Sequence, residues 1–140
     1  MQENKQHKIV IDTNLWISFL INKQFQFVEK FVIECRLIFC DKLLSELYDT
    51  IRKPKLQKLF DTEDAKILFE IIALHAEFIS VNSKVDICRD KKDNYLLALA
   101  KDSKADYLIT GDADLLDLEQ FEGTQIIKIA DYKLLYNICD

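Results

Sequence analysis

The sequence predicts an α/β protein: a three-layer α/β/α sandwich whose central, mostly parallel sheet is covered by helices on both faces. Two observations carry that expectation. Short continuous apolar runs, Ile9-Val10-Ile11 early and Tyr107-Leu108-Ile109 late, read as strands buried on both faces rather than half-exposed ones. Between such runs lie longer segments with apolar residues at helical spacing, and strand-like pieces alternating with helix-like ones are what crossover units produce.

Taken in order, "KIVID" (8–12) is the first strand, followed by a helical stretch from about Thr13 to about Cys35, with a break expected near Asn22. In that stretch Trp16 and Phe19 fit a buried helix face. "RLIFC" (36–40) is a second strand. A helix over 41–53 follows, with Asp41 as its cap and Leu43, Leu44, Leu47, Tyr48 and Ile51 as its apolar stripe. Pro54 stops it. Acids in the first turn mark another helix over 61–78, starting at Asp61 or Thr62. "FISV" (78–81) is the candidate third strand, and 82–92 a polar loop. A helix over 93–104, a strand over 106–110, a turn into a short helix, a strand over 125–129 and the closing "ADYKLLYNI" complete the chain.

The 140 residues, with two glycines, one proline and no linker or repeat, are expected to form one domain, 1–140. No apolar run approaches the roughly 18 residues of a membrane span, and "MQENKQH" is too polar for a signal peptide. The expected setting is the cytoplasm, with no membrane contact. Cys35, Cys40, Cys88 and Cys139 lack metal-type spacing and read as free thiols. With only His7, read as part of a flexible end, and His75, read as an ordinary helix residue, histidine-based hydrolysis and a His-rich metal site are disfavoured. The net charge of −5 argues against a general nucleic-acid coat but leaves room for a local basic patch beside clustered acids.

Both buried runs lead into acid. Asp12 follows Ile11 directly and Asp112 follows Ile109 by three residues, so each falls beyond the carboxyl end of a strand, where parallel sheets bind ligands. Asp93 shares a helix face with Leu96, Leu97 and Ala100 and therefore points inward, either as a cap or as a ligand, while Asp102 points the other way. Glu46 sits at the edge of its helix stripe. Periodicity alone favours reading it as a solvated residue.

Taken together, "VIDTN" (10–14), "LLSELYDTIRKPKL" (43–56), "RDKKDNYLLALAKDSKADYLITGDADLL" (89–116) and "IIKIADYKLL" resemble the PIN domains, small metal-dependent ribonucleases that include VapC-type toxins of bacterial toxin–antitoxin pairs. The resemblance implies that Asp12, Glu46, Asp93 and Asp112 are the catalytic and metal-binding acids. Thr13 and Asn14 would orient Asp12, Thr110 would line the same floor, and Asp90 and Asp114 would be accessory acids. Lysines at 91 and 92 depart from the "RDPDDD"-type stretch of one bacterial subgroup.

Four carboxylates in one hollow repel, by about 4 kcal/mol for two unit charges 4 Å apart at an effective dielectric near 20. A hard divalent cation reverses the sign, with Mg²⁺ expected and Mn²⁺ as its substitute. The implied reaction is metal-assisted hydrolysis of RNA, leaving a 5′-phosphate and a 3′-hydroxyl. Arg52, Lys53, Lys55 and Lys58 on one side, and Arg89, Lys91 and Lys92 on the other, are candidate RNA-binding cations, or else a solvated helix end and a solvated loop. A cognate antitoxin and a homodimer are expectations from the family. The alternative is a catalytically inactive PIN-like module that holds RNA or protein. A phosphatase of the haloacid dehalogenase type would need a second Asp where Asn14 stands, and a receiver domain would need an acidic pair at the first strand.

Overall fold

The computed structural model describes residues 6–136, so Cys139 and the last residues of the closing segment lie outside the described part. Among the described residues, six strands form one sheet: β1 (Lys8–Ile11), β2 (Arg36–Phe39), β3 (Glu77–Phe78), β4 (Tyr107–Ile109), β5 (Gln120–Phe121) and β6 (Thr124–Ile127). Their spatial order is β3-β2-β1-β4-β6-β5, parallel throughout except for β5 against β6. The expected α/β sandwich is what the chain forms.

β1 lies inside the sheet because its side chains leave nothing for water: Ile9, Val10 and Ile11 are fully buried. The chain builds outward from β1 through β2 to β3, then returns to β4 on the other side of β1. Strand order therefore reverses between β1 and β4, and the crevice at that reversal is where an open parallel sheet accepts ligands.

The helices that connect these strands are α1 (Thr13–Ile21), α2 (Phe25–Glu34), α3 (Asp41–Ile51), α4 (Pro54–Gln57), α5 (Thr62–His75), α6 (Asn94–Ser103), α7 (Ala113–Leu116) and α8 (Ile129–Tyr136). Helices α1, α2 and α5 pack together, and α1 also packs on α3, whereas α6 lies along β1 and β4. Right-handed crossovers make the return after β3 carry α6 to the opposite face. The break expected near Asn22 is present: Lys23 takes a left-handed φ of 53° between α1 and α2. Trp16 and Phe19 are buried as expected.

Several boundaries move. Asp41 is the first residue of α3, and Cys40 holds the cap position. Asp41 therefore serves the helix dipole from the first turn and makes no cap hydrogen bond. Pro54 ends α3's run yet opens α4, since a helix's first position needs no N–H. The helix expected over 61–78 stops at His75, and the third strand is Glu77–Phe78 rather than 78–81. There Arg36 and Glu77 form a two-pronged ion pair across β2 and β3, both bonds 2.7 Å long, which fixes that register. The last parallel strand begins and ends earlier than 125–129, because α8 starts at Ile129. The β5–β6 hairpin was not expected at all. Its two-residue turn, Glu122 at φ 50° and Gly123 at φ 87°, has the paired left-handed backbone that closes tight hairpins.

His7 is not a flexible end. Its ring is half-buried against Tyr107, Tyr132 and Tyr136, and Nε2 shares a 2.7 Å hydrogen bond with the Tyr132 hydroxyl. Cys35, Cys40 and Cys88 are free, as expected, and all three are buried. No helix among the described residues is long and apolar enough to cross a membrane.

Candidate metal and catalytic centre

Asp12 stands where β1 turns into α1. Its backbone N–H still donates to the Ile109 carbonyl at 3.0 Å, so the residue is stitched to β4 before the chain leaves the sheet. The side chain is only 6% exposed. Its Oδ2 accepts a 2.7 Å hydrogen bond from the Thr110 hydroxyl, and the same hydroxyl oxygen accepts one from the Asp112 N–H at 3.0 Å. One threonine thus ties the ends of β1 and β4 to a single point. Burial pushes the Asp12 carboxyl above the usual carboxylate range, opposed first by the Thr110 hydroxyl and then by the Thr13 amide.

Asp112 caps α7, its Oδ1 accepting from the Asp114 N–H at 2.9 Å. Asp93 ends a 3-10 turn over Lys91–Asp93 and occupies the cap position of α6, so that helix begins one residue later than expected. Oxygens of Asp90, Asp93 and Asp112 all lie within 4.8 Å of one another. Asp93 Oδ2 is buried and accepts no hydrogen bond. Burial, then a hydrogen bond to Asp112 and its charge, then Asp12 and Asp90, push the Asp93 carboxyl up to about 7. Carboxylates gathered this closely cannot all ionise easily, so one of them keeps its proton to higher pH.

A cleft of about 300 Å³ opens above these groups. Five acids line it, Asp12, Glu46, Asp90, Asp93 and Asp112, together with Thr13 and Asn14 and two cations, Lys42 and Lys92. Glu46 approaches from α3, its Oε1 at 3.4 Å from the Thr13 hydroxyl. The structure thus brings together the four acids that the resemblance nominated, and Asp90 joins Asp93 and Asp112 in one group of carboxylates.

Asp114 and six of the seven candidate cations lie outside the cleft. Asp114 turns to Arg89 at 2.9 Å, and Arg89 also grips Asp117, so this arginine is engaged by two acids beside α7. Lys91 lies 3.6 Å from Asp86. Arg52 stacks over the Tyr48 ring, and Lys53, Lys55 and Lys58 are exposed without lining the cleft. Of the seven candidate cations only Lys92 lines it.

Three residues escaped sequence reading. Asn94 is buried, and its Oδ1 accepts from the N–H groups of Ile87 (3.2 Å) and Cys88 (2.9 Å), which pins the loop carrying Asp90 against the start of α6. Lys42 lies one turn before Glu46, a spacing that could have nominated it. Tyr95 was hidden by helix geometry, since two positions on from Asp93 is about 200° around the wheel. Its hydroxyl is buried beside Glu46 and Thr13, and burial followed by the Glu46 charge pushes its ionisation well above the usual tyrosine range.

The donor set fits a hard divalent cation. Every ligand candidate is a carboxylate oxygen, one of them buried without a partner, and carboxylate oxygens are what Mg²⁺ and Mn²⁺ take.

A parallel sheet with carboxylates gathered at its reversal point defines an α/β protein with an acidic site. The chain belongs to the PIN domain family: the profile of that family, the PIN domain, matches residues 8–114. It is 36% identical over 121 residues to the uncharacterised protein MJ1680 of Methanocaldococcus jannaschii, a match covering 79% of this chain and 74% of that one. Its fold is similar to a chain in the crystal structure of VapBC2 from Rickettsia felis bound to a DNA fragment from their promoter. The TM-score is 0.54 at 15% identity, covering 85% of this chain and 96% of the other.

Proposed function

We propose that this protein is a Mg²⁺- or Mn²⁺-dependent endoribonuclease that hydrolyses RNA phosphodiester bonds as the toxin of a toxin–antitoxin pair. The observation that carries the nuclease reading is the buried, unpartnered Asp93 oxygen within a cleft of five carboxylates. Such an arrangement is self-repelling unless a cation completes it. Asp12, Glu46, Asp93 and Asp112 would hold the ion, with Asp90 beside them. When bound, a divalent cation supplies Lewis acidity toward water and toward the phosphate.

The chain's own contribution is positioning. Thr110 fixes the Asp12 carboxylate, Asp114's N–H fixes Asp112, and Asn94 fixes the loop that presents Asp90. Burial and the neighbouring acids push the Asp93 carboxyl up to about 7, so Asp93 would be the acid that loses a proton if a cation binds. In the reaction a water oxygen bonds to phosphorus as the P–O3′ bond breaks, leaving 5′-phosphate and 3′-hydroxyl ends. The antitoxin assignment draws on the VapBC2 likeness, and a homodimer is proposed with it.

The test is purified protein with structured and single-stranded RNAs, with and without Mn²⁺, beside Asp12→Asn and Asp93→Asn. Metal-dependent cleavage lost in both variants is the expected result. A protein whose melting temperature ignores Mn²⁺ and which cleaves nothing would instead be the inactive binding module.

A further inference from the structure

We propose that Lys42, seated on the ring of Tyr95, is the cation that receives the RNA phosphate in the cleft. The inference rests on the nuclease reading and names the residue that lets an acidic hollow accept an anion.

Lys42 and Glu46 project from the same face of α3, one turn apart, into one cavity. The ordinary outcome for such neighbours is an ion pair. Among the described residues, however, Lys42 lies within 4.0 Å of no carboxylate, although five line the cleft. Its ammonium instead lies 4.8 Å from the centroid of the Tyr95 ring, inside the range of attraction to an aromatic face. Tyr95 is itself fixed by its place in α6 and by burial of its hydroxyl. Its backbone belongs to α6, two residues past Asp93, and its hydroxyl is buried beside Glu46 and Thr13.

The cation is therefore positioned by a face that carries no net charge, and its donors stay open for an anion. Arg89 is spoken for by Asp114 and Asp117, and Lys91 lies by Asp86. Lys92, the other lysine in the cleft, has no such platform among the described contacts. A phosphodiester entering beside five acids meets repulsion that a fixed ammonium offsets, and an aromatic platform keeps that ammonium from collapsing onto Glu46.

The experiment follows cleavage of a short, fluorophore-labelled single-stranded RNA by the full chain in Mn²⁺, with melting-temperature titrations of Mn²⁺ alongside. Lys42→Gln should raise KM roughly tenfold with a smaller change in kcat, as expected for one lost charged contact. It should also flatten the salt dependence of kcat/KM by about 0.7 in slope, the share of one single-strand phosphate. Mn²⁺ should stabilise this variant at least as well as wild type, since a positive charge has left the cleft. Lys42→Arg should restore KM. Tyr95→Leu should reproduce the KM defect, and Tyr95→Phe, which keeps the ring, should not. An unchanged KM and salt slope in Lys42→Gln, with wild type cleaving normally, overturns this proposal and leaves the nuclease reading intact. A weaker Mn²⁺ response in Lys42→Gln assigns the lysine to the acid scaffold and overturns it as well. Failure of wild type to cleave any RNA with Mn²⁺ removes the nuclease reading, and this proposal falls with it.

Discussion

Thr110 does two jobs with one oxygen. It donates to Asp12 and accepts from the Asp112 backbone, while being fully buried itself. Thr110→Val keeps the shape and removes both bonds. The expected cost is about 1–3 kcal/mol of stability, because a buried carboxylate and a backbone N–H each lose a partner. Activity should fall by about 10- to 100-fold, the usual penalty for losing a group that orients a metal ligand. Denaturant unfolding and RNA cleavage check the two figures, and a neutral variant would show that Asp12 is held by its burial alone. At this scale the sequence was informative where an acid broke an apolar run, as at Asp12. It was silent about Tyr95 because helix periodicity describes a side chain's starting direction and not where a long ring ends.

The elements were legible wherever pattern and local chemistry agreed. Helix α6 is legible because Leu96, Leu97 and Ala100 repeat on one side and are all buried, whereas Asp102, off that face, is only partly buried. Asp102 nevertheless has a use: it accepts hydrogen bonds from the N–H groups of Asn82 and Ser83 and from the Ser83 hydroxyl, anchoring the loop that precedes the site. Hairpin β5–β6 was missed because Glu-Gly is a weak turn signal beside Asn-Gly, and two-residue strands carry no alternation to read. The α5–β3 boundary was misplaced since Ala76 is as good in a helix as Leu74. Helix α6 closes on Lys104 at φ 56°, a left-handed position that glycine occupies without steric cost. Lys104→Gly should therefore stabilise the protein by about 1 kcal/mol. A shift of the urea midpoint to lower concentration would contradict that account.

For the whole molecule the acid cluster sets how stability depends on pH. The Asp93 carboxyl moves from an ordinary 3.8 to about 7 on folding, so between those values the folded chain binds more protons than the unfolded one. Stability without metal should thus decline as pH rises from about 4 to 7. Asp102 and Glu77 act oppositely, since their partners hold both below the usual range, and their contribution is lost as pH falls through their folded values. Asp12, also raised by burial, adds to the same decline, so Asp93→Asn should reduce it across the 4–7 window rather than abolish it, raise the metal-free melting temperature at pH 8, and abolish the response to Mn²⁺. Melting curves across pH, with and without Mn²⁺, measure all three. An unchanged pH slope in Asp93→Asn would assign the decline to another group.

The two outermost strands of the sheet, β3 and β5, are each just two residues long, and the Arg36–Glu77 pair sits at one of those borders. So short a rim offers a foreign β-segment almost no ladder to extend, and the charged pair adds a desolvation penalty for any that tries. Among the described residues, seven exposed aliphatic side chains elsewhere, Leu74 and Leu134 included, make that protection worth having. At high concentration the chain should associate through side-chain faces and resist growth into amyloid-like stacks.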